Sequence, residues 1–174
     1  DALSVTAVLT FLDISSNSIG DEDMRFIGNA LLSRSTSKLA GLKCDAFDLP
    51  VGTTSLDLSA KRISPGAAIL LAGVVKFNAV LTNLDLRWNN IGVEGAKALA
   101  NALKSGKAVL TSLTVADNPR ISGEAAQQLA AAVLGSKTLE VFSKIPIKEI
   151  REDKHTELKL YSEGLGPTEG IVLA

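Results

Sequence analysis

The chain predicts an α/β solenoid, a stack of strand–turn–helix units, and three observations carry that prediction. Six stretches answer to one template, an apolar residue followed by others three, five and usually ten positions on. They are Leu9-Leu12-Ile14-Ile19, Leu39-Leu42-Cys44-Leu49, Thr53-Leu56-Leu58-Ile63, Leu81-Leu84-Leu86-Ile91, Leu110-Leu113-Val115-Ile121, and one near Leu158-Leu160-Leu165. Most copies recur at 28 to 30 positions, and a fixed period in that range marks a repeat architecture. The composition agrees: 46% hydrophobic but only 4% aromatic, as thin stacked layers of Leu-sized side chains require.

The copy from Leu81 to Leu103 justifies each element in turn. Leu84-Asp85-Leu86-Arg87 alternates apolar and polar, the period-2 pattern of a half-buried strand. Asn89-Asn90 makes a turn, and Gly92-Val93-Glu94-Gly95 opens a helix. Ala96, Leu99, Ala100 and Leu103 then fall on one helical stripe. Ser64-Pro65 supplies an N-cap and a first-turn proline for a helix over 67–75. Ser122 caps one over 124–134. Asp21 to Asp23 place negative charge at the start of one over 24–33, where the helix dipole favours it. Ala and Gly at Gly66-Ala67-Ala68, Gly95-Ala96 and Ala125-Ala126 suit helices packed side by side.

The gaps are uneven in an ordered way. Leu39 to Thr53 is a step of 14, and Leu139 to His155 a step of 16. Neither has room for strand, helix and two loops, so helix-less short units are expected near 42–56 and 142–158. Val8-Leu9-Thr10 matches Val109-Leu110-Thr111 at an offset of 101, and Leu56-Asp57-Leu58 matches Leu158-Lys159-Leu160 at 102. These offsets imply a longer repeat of about four units. It puts Ala174 inside a helix, so residues 1–174 are expected to be a single array that is part of a longer one.

Bulk properties narrow the function. Eighteen basic and 19 acidic residues leave a net charge of −1, which draws in neither nucleic acid nor an anionic membrane. The longest apolar run, 67–75, is too short to span a bilayer, and no secretory signal opens at Asp1. A single cysteine, Cys44, precludes disulfide-bonded caps within the chain and points to a reducing, cytoplasmic setting. It occupies the inward position of Leu58 and Leu86 and reads as a core residue. His155 is the one histidine and has no cluster of ligands in the sequence around it, so neither a metal, a cofactor nor a catalytic group is expected.

The segment Leu81 to Leu103, with its Asn-x-Ile-Gly-x-x-Gly-Ala-x-x-Leu-Ala pattern and period of 28 to 29, resembles the ribonuclease-inhibitor class of leucine-rich repeats. That resemblance implies a horseshoe, with parallel strands on the concave face and helices on the convex face. Similar proteins include ribonuclease inhibitor, the GTPase-activating protein for Ran, tropomodulin and the sensor arms of NOD-like receptors. Nearly all are intracellular and work by binding proteins. Asn17, Asn89 and Asn118 resemble the class's ladder of buried asparagines, each bonding the backbone of adjacent turns; Phe47, Lys61 and Glu163 stand where three units lack one.

The resemblance implies a scaffold that binds a protein partner through its concave face, not an enzyme, within a larger assembly. A GTPase activator of the Ran type and a NOD-like sensor arm are the alternatives. The outward strand positions are Asp13, Lys43, Asp57, Asp85, Thr114 and Lys159, then Asp45, Arg87, Ala116 and Tyr161 two residues on. Arg87 and Trp88 are of the types most enriched at binding hot spots. Trp88 reads either as such a hot spot or as cover for a neighbouring loop.

Overall fold

Each full unit folds as its periodicity requires. The computed structural model describes residues 8–154 and 157–174. Strands β1 (Phe11–Asp13), β2 (Gly41–Lys43), β4 (Ser55–Asp57), β5 (Asn83–Asp85) and β6 (Ser112–Thr114) each place their central Leu inward. Helices α1 (Asp21–Leu32), α2 (Pro65–Val75), α3 (Gly92–Lys104) and α4 (Gly123–Gly135) follow β1, β4, β5 and β6. Strands pair with strands in parallel, and helices pack on helices, α1 on α2, α2 on α3 and α3 on α4. One apolar core of Leu, Ile, Val and Ala lies between the two layers.

The strand layer is not continuous. The short unit after β2 has no helix; the chain turns back at Cys44–Phe47 and runs antiparallel as β3 (Asp48–Leu49). The Cys44 amide donates to the Phe47 carbonyl at 2.9 Å, and Leu49 pairs with Leu42. This return fills the edge of β2 that the next parallel strand would occupy. The strands therefore form two sheets, β1-β2-β3 and β4-β5-β6-β7, where β7 is Val141–Phe142.

The same device recurs at β7. Phe142 and Ile145 exchange backbone bonds of 2.9 and 2.8 Å around Ser143 and Lys144. Both turn residues have positive φ, 45° and 70°, as a two-residue hairpin turn of this type demands. Two features depart from the spacing of the sequence. The unit near 142–158 is not helix-less: Ile147–Arg151 forms a one-turn helix, α5, started by Pro146 and anchored by buried Ile147. The copy at Leu158-Leu160 is not a strand, because the edge of β7 is taken and the described residues offer no further strand to pair with. A last helix, α6 (Pro167–Leu173), packs on α4 as α2 packs on α1.

With no helix in the first short unit, α1 lies directly against α2. The approach is close enough to need glycine. A Cβ on Gly28 would fall 2.6 Å from the backbone of Ile69 and Leu70, and one on Gly66 only 2.0 Å from the Asp21 carbonyl oxygen. Asp21 accepts a hydrogen bond from the Gly66 amide at 2.8 Å, so its place in the first turn of α1 also joins two helices. α1 also touches α3, and α2 is buried from Gly66 to Val75. An all-apolar helix is the sequence such a position calls for.

Cations from later in the chain close the helix ends that precede each short unit. Lys76 Nζ donates to the carbonyls of Leu32 and Arg34, and Lys107 Nζ to that of Ser35. Burial pushes the Lys76 ammonium below its usual range, and the charge of Lys107 adds to this. Arg151 does the same for α4, donating to the carbonyls of Val133, Leu134, Ser136 and Leu139. Ser64 caps α2 by accepting from the Ala67 amide at 3.3 Å. Ser122 stands at the N-cap of α4, but its side chain makes no capping bond.

Gly66→Ala should destabilise the chain by about 3 kcal/mol, at the upper end of overpacking effects, because the new methyl meets backbone and not a movable side chain. A urea titration followed by circular dichroism measures it. Gly170→Ala, where a Cβ meets open space, should change stability by no more than about 1 kcal/mol.

Candidate functional site

The strand ends decide what the outer strand positions can do. Asp13, Asp57 and Asp85 each close the strand that carries them. Their carboxylates accept from the amides of Ser15 at 2.9 Å, Ser59 at 2.8 Å and Arg87 at 3.0 Å. Asp13 also accepts from the Ser15 hydroxyl at 2.6 Å. The hydrogen bonds from Ser15 and Ser59 hold the Asp13 and Asp57 carboxyls below the usual carboxylate range. Such side-chain turns are a common use of Asp.

Shortly after, the backbone turns left-handed ahead of each of α1, α2, α3, α4 and α6. Ser16, Ala60, Trp88, Asp117 and Ser162 all have φ between 55° and 58°. None is glycine, so each carries a local strain of about 1–2 kcal/mol. The neighbouring unit supports the conformation. The Ala60 amide donates to the Arg87 carbonyl, and that of Trp88 to Ala116, both at 3.1 Å. Where the Cys44–Phe47 turn interrupts the pattern, the Asp45 side chain accepts from the Ser16 amide at 2.8 Å. Asp45 is thus part of the framework.

The asparagines complete the turn. Asn89 accepts from the Ile63 amide at 2.9 Å and donates to the carbonyls of Leu58 at 2.8 Å and Leu86 at 2.9 Å. Asn118 repeats this on Ile91 at 3.2 Å, Leu86 at 2.8 Å and Val115 at 2.9 Å. Each links its own turn to that of the preceding unit, and both are buried. Asn17 is exposed and, among the described residues, bonds only its own turn, through the Ser15 carbonyl. Lys61 belongs to the unit after the helix-less one, and it too is exposed.

Arg87 and Trp88 stand where β5 ends. Arg87 Nε lies 2.9 Å from the Asp85 carboxylate, and its guanidinium sits 5.3 Å from the centre of the Trp88 ring. Trp88 is 58% exposed. Its backbone is left-handed, with φ of 55°, and the three residues before it lead back to Asp85, which with Ser55, Asp57, Asn83, Ser112 and Thr114 lines a shallow cleft of about 300 Å³ on the strand face. Asp57, Asp85, Arg87 and Trp88 therefore share one end of one sheet.

The other candidates do not join them. Asp13, Lys43 and Asp45 belong to the first sheet and its turn. Lys159 and Tyr161 lie outside both sheets, Tyr161 being 92% exposed. Ala116, expected to face outward, is buried. Cys44 is buried, which pushes its thiol above the usual range. His155 lies outside the described residues. Among the described residues no group of three His, Cys, Asp or Glu side chains could hold a metal, and no helix is long and apolar enough to cross a membrane.

Asn78 carries a role that the repeat template does not mark. It is 1% exposed, accepts from the amides of Val80 and Leu81, and donates to the Ala40 carbonyl at 2.7 Å. That bond reaches across the helix-less unit. Its mark in the sequence is an Asn three residues before the Leu that opens a copy, which occurs once.

Units of strand, turn and helix tied by buried asparagines define a class of repeat protein. A family model described as Leucine Rich repeat matches residues 7–28 and 77–100, the segments that hold β1 with the start of α1, and β5 with most of α3. The chain thus carries leucine-rich repeats. No curated protein matches it.

Asn89→Ala and Asn118→Ala should each lower stability by about 2–3 kcal/mol, the penalty for several buried backbone groups left unpaired. Asn17→Ala should change it by no more than about 0.5 kcal/mol. Chemical denaturation of the three variants side by side measures the contrast.

Proposed function

We propose that the chain is a protein-binding module whose partner sits on the strand face, at the end of β4, β5 and β6. Leucine-rich repeats generally mediate protein–protein interaction, and two segments match that family. The observation that carries the reading is Trp88, held outward by a left-handed backbone and stacked on Arg87, which Asp85 fixes in turn. A large exposed aromatic that loses little freedom on binding is what a hot spot needs. We take the units to follow the ribonuclease-inhibitor class, with the strand face as the inner side of an arc. The module acts without catalysis, in the cytoplasm, where the single Cys44 would stay reduced.

The test separates binding from folding. The chain is used to capture a partner from native extract, the partner is identified by peptide sequencing, and its affinity is measured with purified components. Trp88→Gly removes the side chain and suits the positive φ, so stability should stay within about 1 kcal/mol of the native chain. Partner affinity should fall about thirtyfold or more, the effect of losing a hot spot of ~2 kcal/mol. Undiminished affinity in both Trp88→Gly and Arg87→Ala would reject the strand face as the binding surface.

A further inference from the structure

The helices α1 to α4 follow parallel strands, so their C-terminal ends and the return loops beyond them lie along one edge of the array. Residues 33–40, 76–82, 104–110 and 135–139 contain Arg34, Lys38, Lys76, Lys104, Lys107 and Lys137, and no Asp or Glu. In a chain of net charge −1, these four loops thus carry charge of a single sign. Lys76 and Lys107 are spent on backbone carbonyls, with both ammonium groups 5.0 Å from the centre of the Phe77 ring. Lys38, Lys104 and Lys137 are exposed, and their ammonium groups have no hydrogen bond or ion pair among the described residues. Glu140, just beyond the last loop, is taken by Lys148 at 2.7 Å.

Helix C-termini attract cations through the helix dipole, which accounts for Lys104 in the last turn of α3. It does not account for Lys38 or Lys137, which lie beyond their helices. Between the ends of α3 and α4 the edge opens into a groove of about 380 Å³. Leu103, Ala108, Ala131 and Ala132 give it an apolar lining, and Lys104 and Lys137 also line it. Small side chains leave the space, and two unpaired ammonium groups border it.

We propose that this groove is a second docking site, distinct from the strand face, for an acidic peptide segment of a partner protein. An apolar side chain of the segment enters between α3 and α4, and carboxylates on either side of it meet Lys104 and Lys137. The apolar lining favours a peptide over a nucleic acid, whose backbone would contact the lysines and leave the groove empty. Lys38, Lys76 and Lys107 extend the positive field along the edge and steer the segment in.

The test uses a short fluorescein-labelled peptide with one leucine flanked by glutamates, followed by fluorescence anisotropy at low and moderate salt. The native chain should bind it, more weakly as salt rises. Lys104→Glu with Lys137→Glu should weaken binding about tenfold or more, and Ala131→Trp, which fills the groove from an exposed position, should weaken it as well. Trp88→Gly and Lys61→Glu should leave it unchanged, so failure here is distinct from failure of the strand-face reading. No binding by the native chain would overturn the proposal. So would undiminished binding by the double variant, or equal binding of a single-stranded oligonucleotide of matched charge.

Discussion

The Leu58 carbonyl and the Ile63 amide belong to one unit, yet a side chain of the next unit, Asn89, satisfies both. The rest of the array depends on that arrangement. A turn between a buried strand and a buried helix holds polar backbone that its own unit cannot pair, and an unpaired buried group is costly. The units that open at Thr53 and Leu81 are each completed by the next unit through the parallel ladder, the asparagine and the amide of the left-handed residue. The left-handed strain at Ala60 and Trp88 persists because the next unit accepts those amides. The same arrangement turns Trp88 outward, so the candidate site is a by-product of how the turns are closed.

Omitting a helix from a unit has a geometric consequence. A full unit adds about 5 Å on the strand side and about 8–10 Å on the helix side. A strand-only unit adds to the first alone. Here the added strand is antiparallel, which ends one sheet and lets β4 begin another. The helix layer carries the connection instead. Gly28 and Gly66 let α1 and α2 touch at the backbone, Asp21 and Lys76 bond across the contact, and Asn78 reaches Ala40. Arg151 and α6 repeat the pattern at α4. The offset of about 101 residues read from the chain thus recurs in structure at the antiparallel return and in the helix pairs α1–α2 and α4–α6, though not at Leu158-Leu160, which forms no strand.

The period, the strand cores and the helices were legible because burial writes itself as apolar spacing. The two short steps were legible as gaps, since 14 residues leave no room for a helix. What filled the gaps was not, because a two-residue antiparallel return leaves no periodic trace. Nor was the left-handed position, since Ser, Ala, Trp, Asp and Ser share no property that betrays positive φ. Leu158-Leu160 misled for the opposite reason: it has the spacing of a strand, but a strand also needs a free neighbouring edge. In the candidate site, Arg87 and Trp88 were visible as residue types, whereas the turn-closing work of Asp13, Asp57 and Asp85 appears only in the hydrogen bonds. Asp45 likewise looked like a surface carboxylate and proves to stand in for a backbone carbonyl.

The central claim is that the array stays one body although its strand layer is broken, because the helix layer joins the parts. Native-state hydrogen exchange of the isolated chain under rising denaturant tests this directly. The amides of Leu42 in β2 and of Leu84 in β5 should open with the same free energy and the same denaturant dependence. If the β1-β2-β3 sheet and α1 opened as a separate unit, at lower denaturant than β5 and α3, the claim would be contradicted.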